Sequence, residues 1–381
     1  MAETSGAGRA PPRISIVIPV CGVEDEIRTC LDSILTQSFT DIEVVAVDDS
    51  SPDRSGEILD SYAARDQRLR VIHLGQRGGP GNARNTGMDL AWGDYVWFVD
   101  GDDVVAEGGL AAVAAQLARA EPDVLLIGFA RLQPSGVVLP NAWRHLLREQ
   151  RPGEVFTLAD RPEVARLTMT SWSKVIRRSF LTGLALRFEP GIHEDVPLTC
   201  QLLLQARRIA TLDTVCYLYR ERRGGALTNT PSRDNFAVFD RYKKVFAVIA
   251  SRPDQFGAFR HVFFDRAIWH YTTVFGAPNS VPRTARREFF RRMAEDFARY
   301  RPPNYMYPPG VHGLKYRLVE HDAYRAYLII QPANQVRIAL RNALRGLPGL
   351  RRPRLSARDK ASEEADSAGQ RRGREARVRE L

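Results

Sequence analysis

The chain has 381 residues, a formal net charge of +10 and an ordinary globular composition, 44% hydrophobic and 26% charged. Its four cysteines form no CxxC pair and no Cys/His cluster, which excludes a zinc ribbon and a disulfide framework and fits a reducing compartment. No stretch approaches the ~18 uninterrupted apolar residues of a membrane span, and residues 1–12 carry no apolar signal region. The expectation is a cytoplasmic protein, one long α/β domain with an appendage. Charge is uneven, net −5 over residues 1–230 and +15 over 231–381, which points the back of the chain towards an anionic partner or a solvated basic surface.

Alternating patterns fill the first 130 residues. Ile14–Ile18, closed by Pro19, is a short apolar run that reads as a buried strand. Glu24–Gln37 follows with Ile27, Leu31, Ile34 and Leu35 at helical spacing. Ile42–Val47 is a second strand, Ser55–Ala64 a helix and Leu69–Leu74 a third strand. Asn82–Ala91 is helical, Tyr95–Val99 a fourth strand, Gly109–Ala120 an Ala-rich helix and Val124–Phe129 a fifth strand. Near-continuous apolar strands alternating with helices predict a parallel-type sheet covered on both faces. Ligands of such sheets sit at the carboxyl ends of the strands.

Leu158–Met169 has a helical pattern, as does Val196–Ala206, whereas Cys216–Tyr219 reads as a strand. An aromatic-rich helical pattern runs from Asn235 to Phe275, and Pro302–Gly310 is a loop. Leu314–Leu344 is amphipathic and basic, with Pro332 as its expected break. From Arg351 few apolar residues remain and disorder is expected. The expected division is a disordered 1–12, a catalytic domain over 13–230, a helical region over 231–350 and a charged disordered tail over 351–381. There is no internal repeat.

Three acidic clusters carry the chemistry. Asp48-Asp49-Ser50-Ser51 and Asp100-Gly101-Asp102-Asp103 each end an apolar strand, and Glu194-Asp195 follows a Pro190-Gly191 turn. Hard oxygen ligands suit Mg²⁺ or Mn²⁺, held by one or two carboxylates and substrate phosphates. A carboxylate of the first cluster suits the imide N–H of a uracil-like base. One near a metal-bound diphosphate can take a proton from an acceptor hydroxyl. Taken singly, each cluster also reads as an N-cap or an acidic first turn. The stretch from Gly78 to Gly87 opens a helix, whose N–H groups attract anions, and Arg84 within it suits a base carbonyl or a phosphate. Arg220 and Arg222 beside Gly224-Gly225 suit phosphate oxygens, or else an exposed basic hairpin.

In this order the motifs resemble the family 2 glycosyltransferases, inverting enzymes with the nucleotide-sugar-binding fold called GT-A. The matched elements are Ile16-Val-Ile-Pro-Val20, Val47-Asp-Asp-Ser-Ser-Pro-Asp53, Gly78-Gly-Pro-Gly-Asn-Ala-Arg-Asn-Thr-Gly87, Val99-Asp-Gly-Asp-Asp103, Trp172-Ser-Lys174 and His193-Glu-Asp195, across residues 13–225. The resemblance implies a GT-A-type α/β fold and a donor site that includes Pro19. Asp48 or Asp49 would hold the base, with Arg84 helping there. Asp100 would approach the ribose or metal and Asp102 would ligate the metal. Asp195 would be the catalytic base, with Glu194 its neighbour near the acceptor. Cys21-Gly22 departs from the family's usual aromatic and polar residues after the proline. The later chain is similar to glycosyltransferase regions of actinobacterial teichoic-acid-type enzymes.

The reading is therefore a metal-dependent transferase that moves a sugar from a nucleoside diphosphate sugar, UDP-linked by preference, to an acceptor hydroxyl. Arg220 or Arg222 would assist the departing diphosphate. The expected acceptor is a cell-envelope glycan or a polyol-phosphate polymer at the cytoplasmic membrane face. The basic C-terminal region would dock there on anionic lipid, each nearby basic residue giving about 1 kcal/mol. Two other readings are a nucleotidyl- or phosphotransferase using the same metal cleft, and a catalytically idle polymer-binding protein. Basic residues interleaved with aromatics for base stacking are missing, which argues against nucleic acid.

Overall fold

The computed structural model describes residues 12–221, 231–277 and 279–331. Nine strands form one sheet in the order β3-β2-β1-β4-β8-β6-β9-β5, with β7 on β6. They are β1 (Ile14–Val20), β2 (Ile42–Asp48), β3 (Leu69–His73), β4 (Tyr95–Phe98), β5 (Val104–Val105), β6 (Val124–Leu132), β7 (Val138–Pro140), β8 (Lys174–Arg177) and β9 (Ile209–Arg220). The helices of the sheet region are α1 (Ile27–Leu35), α2 (Ser55–Ala63), α3 (Pro80–Leu90), α4 (Gly109–Ala120), α5 (Arg178–Gly183) and α6 (Asp195–Gln205). Beyond it come α7 (Ala237–Ser251), α8 (Pro253–Phe256), α9 (Arg260–Gly276), α10 (Arg286–Tyr300) and α11 (Val311–Glu320). Residues up to Tyr327 form one compact unit.

The α/β expectation holds, and the order of strands brings the acidic clusters together. Strands β3, β2, β1 and β4 are mutually parallel. Pro19 lies beside Val47 and Val20 beside Asp48, so the carboxyl ends of β1 and β2 are level. Alternation along β2 serves two faces: Val44 and Ala46 pack with the core under α1 and α2, while Val45 and Val47 meet Ala83 of α3. The sheet is not parallel throughout, however. Strand β8 enters antiparallel between β4 and β6, and β6 then pairs β9 in parallel across an irregularity at Gly128. A β-carbon at Gly128 would come 2.4 Å from the Thr214 carbonyl, so the irregular pairing needs glycine there.

Several boundaries differ from the sequence expectation for local reasons. Helix α1 begins at Ile27 and not at Glu24, because the Glu24 N–H is given to Asp53 and its carboxylate takes the Arg54 N–H. Helix α3 begins two residues early, at Pro80, whose fixed φ suits the first helical position. Leu158–Met169 is not a helix. Only a 3₁₀ turn forms, over Pro162–Arg166, since the residue before a proline avoids the α region. Val164, Ala165, Leu167 and Met169 are buried all the same, which is what produced the pattern.

The aromatic pattern from Asn235 to Phe275 divides at Pro253 into α7, the short α8 and α9. Phe239, Tyr271 and Phe289 pack there with ring centroids 4.7 Å apart along Phe239–Tyr271 and Phe239–Phe289. In the last basic stretch the helix breaks at His321–Ala323 and resumes over 324–331, ahead of Pro332. Asp322 adopts a left-handed φ of 47° at that break. The remainder of the expected Leu314–Leu344 element, the tail from Arg351, and residues 1–11 lie outside the described residues. Among the described residues no helix is long and apolar enough to cross a membrane.

Close packing of α3 on β1 rests on Gly87, where a β-carbon would stand 2.3 Å from Val17 Cγ1. Val17 is buried, branched and central, so it cannot yield. Gly87→Val is expected to lower the unfolding free energy by about 1–3 kcal/mol through overpacking. Gly183→Ala, where nothing lies within 4 Å, should leave it unchanged or raise it by about 0.4–1 kcal/mol. Urea unfolding midpoints of the two variants measure both effects.

Candidate active site

Asp48 and Asp49 stand where β2 ends, and both carboxylates are engaged by the protein. Asp48 accepts the Ser51 N–H at 3.0 Å and lies 2.9 Å from His73 Nδ1, while His73 Nε2 lies 3.1 Å from Asp60. Hydrogen bonding to Asp48 and Asp60 raises the His73 pKa above its ordinary value. Asp49 takes the N–H groups of Gly78 and Gly79, one on each oxygen, both at 2.7 Å. Asp49 thus fixes the Gly78-Gly79 turn that leads into α3. Gly79 needs its freedom here, with φ of 83°.

Arg84, on the first turns of α3, is buried and reaches neither Asp48 nor Asp49 in any described contact. Its guanidinium donates to Asp100 Oδ1 at 2.7 Å and to Glu194 Oε1. Burial works against its charge, but Asp100 and Glu194 more than offset that and raise its pKa. Asn85, its neighbour, binds both backbone groups of Phe188, each at 2.9 Å. The Phe188 ring lies under Arg84, 5.4 Å from ring centroid to guanidinium carbon. Helix α3 therefore ties the end of β4 to the segment that leads into Glu194 and Asp195.

The carboxylates of Asp100, Asp102 and Asp103 offer oxygens that all lie within 4.8 Å of one another. Asp103 serves the fold. One of its oxygens accepts from Tyr217 Oη at 2.6 Å and the other from the Arg220 N–H at 2.7 Å. Burial and the neighbouring Asp102 and Asp100 push its pKa up to about 8. Tyr217 Oη also receives the Asp100 N–H at 3.2 Å, so β9 fixes the acidic turn. Gly101 lets that turn approach β1, where a β-carbon would stand 3.2 Å from the Pro19 carbonyl. Asp100 and Asp102 bring hard oxygen donors to this group, and such a set fits Mg²⁺ or Mn²⁺.

Asp195 opens α6, partly buried. Burial first, then the like charge of Glu194, push its pKa up to about 7, against the opposing pull of Arg84 and Lys174. Lys174 is fully enclosed. Its ammonium donates to the carbonyls of Thr168 at 2.9 Å and Thr170 at 2.8 Å and lies 3.2 Å from Ser173 Oγ. Burial brings its pKa down to about 7, Asp195 acting in the other direction. Two residues earlier, Trp172 stacks on Tyr217 with centroids 4.6 Å apart and planes 8° apart, and its carbonyl takes the Trp97 indole N–H.

Pro19, Asp48, Asp49, Asp100 and Asp102 thus gather at the ends of β1, β2 and β4, and Arg84 joins Asp100 to Glu194 beside Asp195. Arg220 follows at the end of β9 through its backbone bond to Asp103. Arg222 lies outside the described residues. Sequence reasoning gave no role to His73, Asn85, Asp103, Lys174 or Tyr217. Asn85 and Lys174 sat inside quoted motifs and Asp103 inside an acidic run, which is a usable signal. His73 and Tyr217 offered none, since each acts on a residue at least 25 positions away.

Residues 15–182 match the family model described as Glycosyl transferase family 2. The chain is 34% identical to the glycosyltransferase EpsJ of Bacillus subtilis (strain 168) over 222 residues, 58% of this chain and 64% of EpsJ. It is 32% identical to the poly(ribitol-phosphate) beta-N-acetylglucosaminyltransferase TarS of Staphylococcus aureus (strain Mu50) over 218 residues, 56% of this chain and 36% of TarS. The chain therefore spans less than two thirds of the length of these curated relatives. Among solved structures it is similar to S. aureus TarS 1–349 in complex with UDP-GlcNAc, with a TM-score of 0.64 at 22% identity, covering 85% of this chain and 91% of that one. At that identity the likeness speaks for the fold, and it bears out the GT-A-type expectation. Residues 15–182, which carry Asp48, Asp100 and Asp102 at their strand ends, form a glycosyl transferase family 2 domain.

Proposed function

We propose that the chain transfers a sugar from a nucleoside diphosphate sugar, UDP-linked by preference, to a hydroxyl of a cell-envelope glycan or polyol-phosphate polymer, with inversion. The observation that carries this reading is the Arg84 bridge, which sets a donor-side carboxylate, Asp100, and an acceptor-side carboxylate, Glu194, on one guanidinium. TarS supports the donor and acceptor classes, because a UDP-GlcNAc complex and a poly(ribitol-phosphate) activity are stated for it.

Asp48 would accept the imide N–H of the base, its carboxylate steadied by His73 and Ser51. Asp49 would keep the Gly78-Gly79 turn in place beside it. Pro19 would line the donor cleft at the end of β1. Asp102 and Asp100 would hold Mn²⁺ or Mg²⁺, which when bound neutralises charge on the departing diphosphate. Arg220 has a buried Nε with no partner among the described residues, a donor suited to a phosphate oxygen. Asp195 would take the proton of the acceptor hydroxyl as that oxygen attacks the anomeric carbon. A base whose pKa lies near the working pH is well matched to that task. Glu194, held by Arg84, keeps Asp195 basic by like-charge repulsion.

Release of nucleoside diphosphate from a panel of UDP-, GDP-, CDP- and dTDP-sugars with Mn²⁺ is expected for one donor, most strongly a UDP-sugar. Asp102→Ala should abolish it. Pyrophosphate release from a nucleoside triphosphate would instead support a nucleotidyltransferase, and failure of UDP to bind with Mn²⁺ present would leave the idle binding protein.

Asp195→Asn is expected to lower kcat by about 10²–10⁴-fold while leaving donor binding intact. The base works only when deprotonated, so kcat/KM should climb with pH below about 7 and level off above it. A flat profile through that range would rule out Asp195 as the base.

A further inference from the structure

The segment that delivers Asp195 is a short loop, residues 189–193, with two left-handed residues: Gly191 at φ 91° and His193 at φ 57°. A non-glycine residue in that region persists where its surroundings over-determine it. At its ends the loop is tied to α3, by Asn85 on Phe188 and by Arg84 on Glu194. Its middle is tied elsewhere. Arg241 of α7 donates to the Glu189 carboxylate, to the Pro190 carbonyl and, through Nε at 3.3 Å, to the Ile192 carbonyl. Lys244, one turn on, donates to the other Glu189 oxygen at 2.6 Å. Arg241 is itself buried, and a β-carbon at Gly191 would come 3.3 Å from its guanidinium. His193 packs edge-on against His270 of α9, with centroids 4.9 Å apart.

We propose that Arg241, outside the part of the chain that matches the family, is a positioning residue of the transfer reaction: its guanidinium shapes the 189–193 loop that presents Asp195 to the acceptor. The inference rests on the reading of Asp195 as base. The planar fork of a guanidinium spreads its donors over three separate acceptors along the loop, a geometry that the single nitrogen of a lysine does not reproduce. The helical region following the sheet then completes the active site, and the loop is held between α3 and α7.

The test uses the full chain with the sugar donor found in the panel. Arg241→Ala should lower kcat on the order of 10²-fold, the cost of displacing a catalytic group by about an ångström, with donor KM unchanged. Added guanidinium ion should restore part of the rate, and Arg241→Lys should recover less than half of it. Amide hydrogen exchange over residues 189–195 should quicken in Arg241→Ala and stay unchanged over β1 and β2.

The pH profile gives a readout that a merely structural role would not move. The charged groups around Asp195 are Glu194, Arg84, Lys174 and Asp100, and Arg241→Ala removes none of them. Loosening the loop admits water to Asp195, so the midpoint of kcat/KM should fall below about 7. Glu189→Gln, which keeps the volume and breaks the ion pair, serves if Arg241→Ala does not fold. Unchanged exchange over 189–195, or a wild-type kcat with an unmoved midpoint, would overturn the proposal. If Asp195→Asn keeps full turnover, the base assignment fails instead, a separate outcome.

Discussion

One buried guanidinium holds this site together. Arg84 is 6% exposed and faces two carboxylates, Asp100 at the end of β4 and Glu194 at the start of α6. Removing one partner of such a pair leaves an uncompensated buried charge, at a cost of about 3–5 kcal/mol. The arrangement is costly to break and adds little net stability over an apolar alternative, so its value lies in geometry. It fixes the distance between the carboxylates proposed to hold the donor's metal and those proposed to meet the acceptor. Everything around it serves that fixing: Gly87 brings α3 against β1, Asn85 anchors Phe188, and Tyr217 with Asp103 pins the acidic turn.

Electrostatics then follow from enclosure. Asp195 sits near Glu194 and Asp100, and burial and like charge raise its pKa to about 7 in spite of Arg84 and Lys174. In the folded state it holds its proton above the pH at which an unfolded chain releases it. The sign of that linkage is unfavourable, because stability declines as pH rises from about 4 to about 7. A pKa close to neutral pH is what the proposed role of Asp195 as proton acceptor calls for. Lys174, whose pKa burial draws down to about 7 against the pull of Asp195, is kept by three oxygens.

The parallel half of the sheet was legible because its strands are buried on both faces and read as continuous apolar runs, from Ile14–Val20 to Tyr95–Phe98. The acidic residues at their ends were legible for the same reason: a carboxylate directly after five apolar residues has few places to go. The mixed half was not, since β8 is only four residues long and its direction is set by partners far along the chain. The helix expected over Leu158–Met169 failed because buried apolar residues in an irregular segment imitate helical spacing, and Pro162 outweighs them. Within the site, residue types were legible and pairings were not. Arg84 reads equally well beside a base, a phosphate or a carboxylate, and only the fold shows Glu194, 110 positions away, as its partner.

The central claim is that the strand-end acids and the Glu194-Asp195 pair work as one site through Arg84. A double-mutant cycle on kcat/KM, with Asp100→Asn, Glu194→Gln and the two combined, tests it most directly. One coupled site predicts a double variant little worse than the worse single, an interaction energy of about 0.5–3 kcal/mol. Losses that simply add would contradict the account and leave two acidic clusters acting independently.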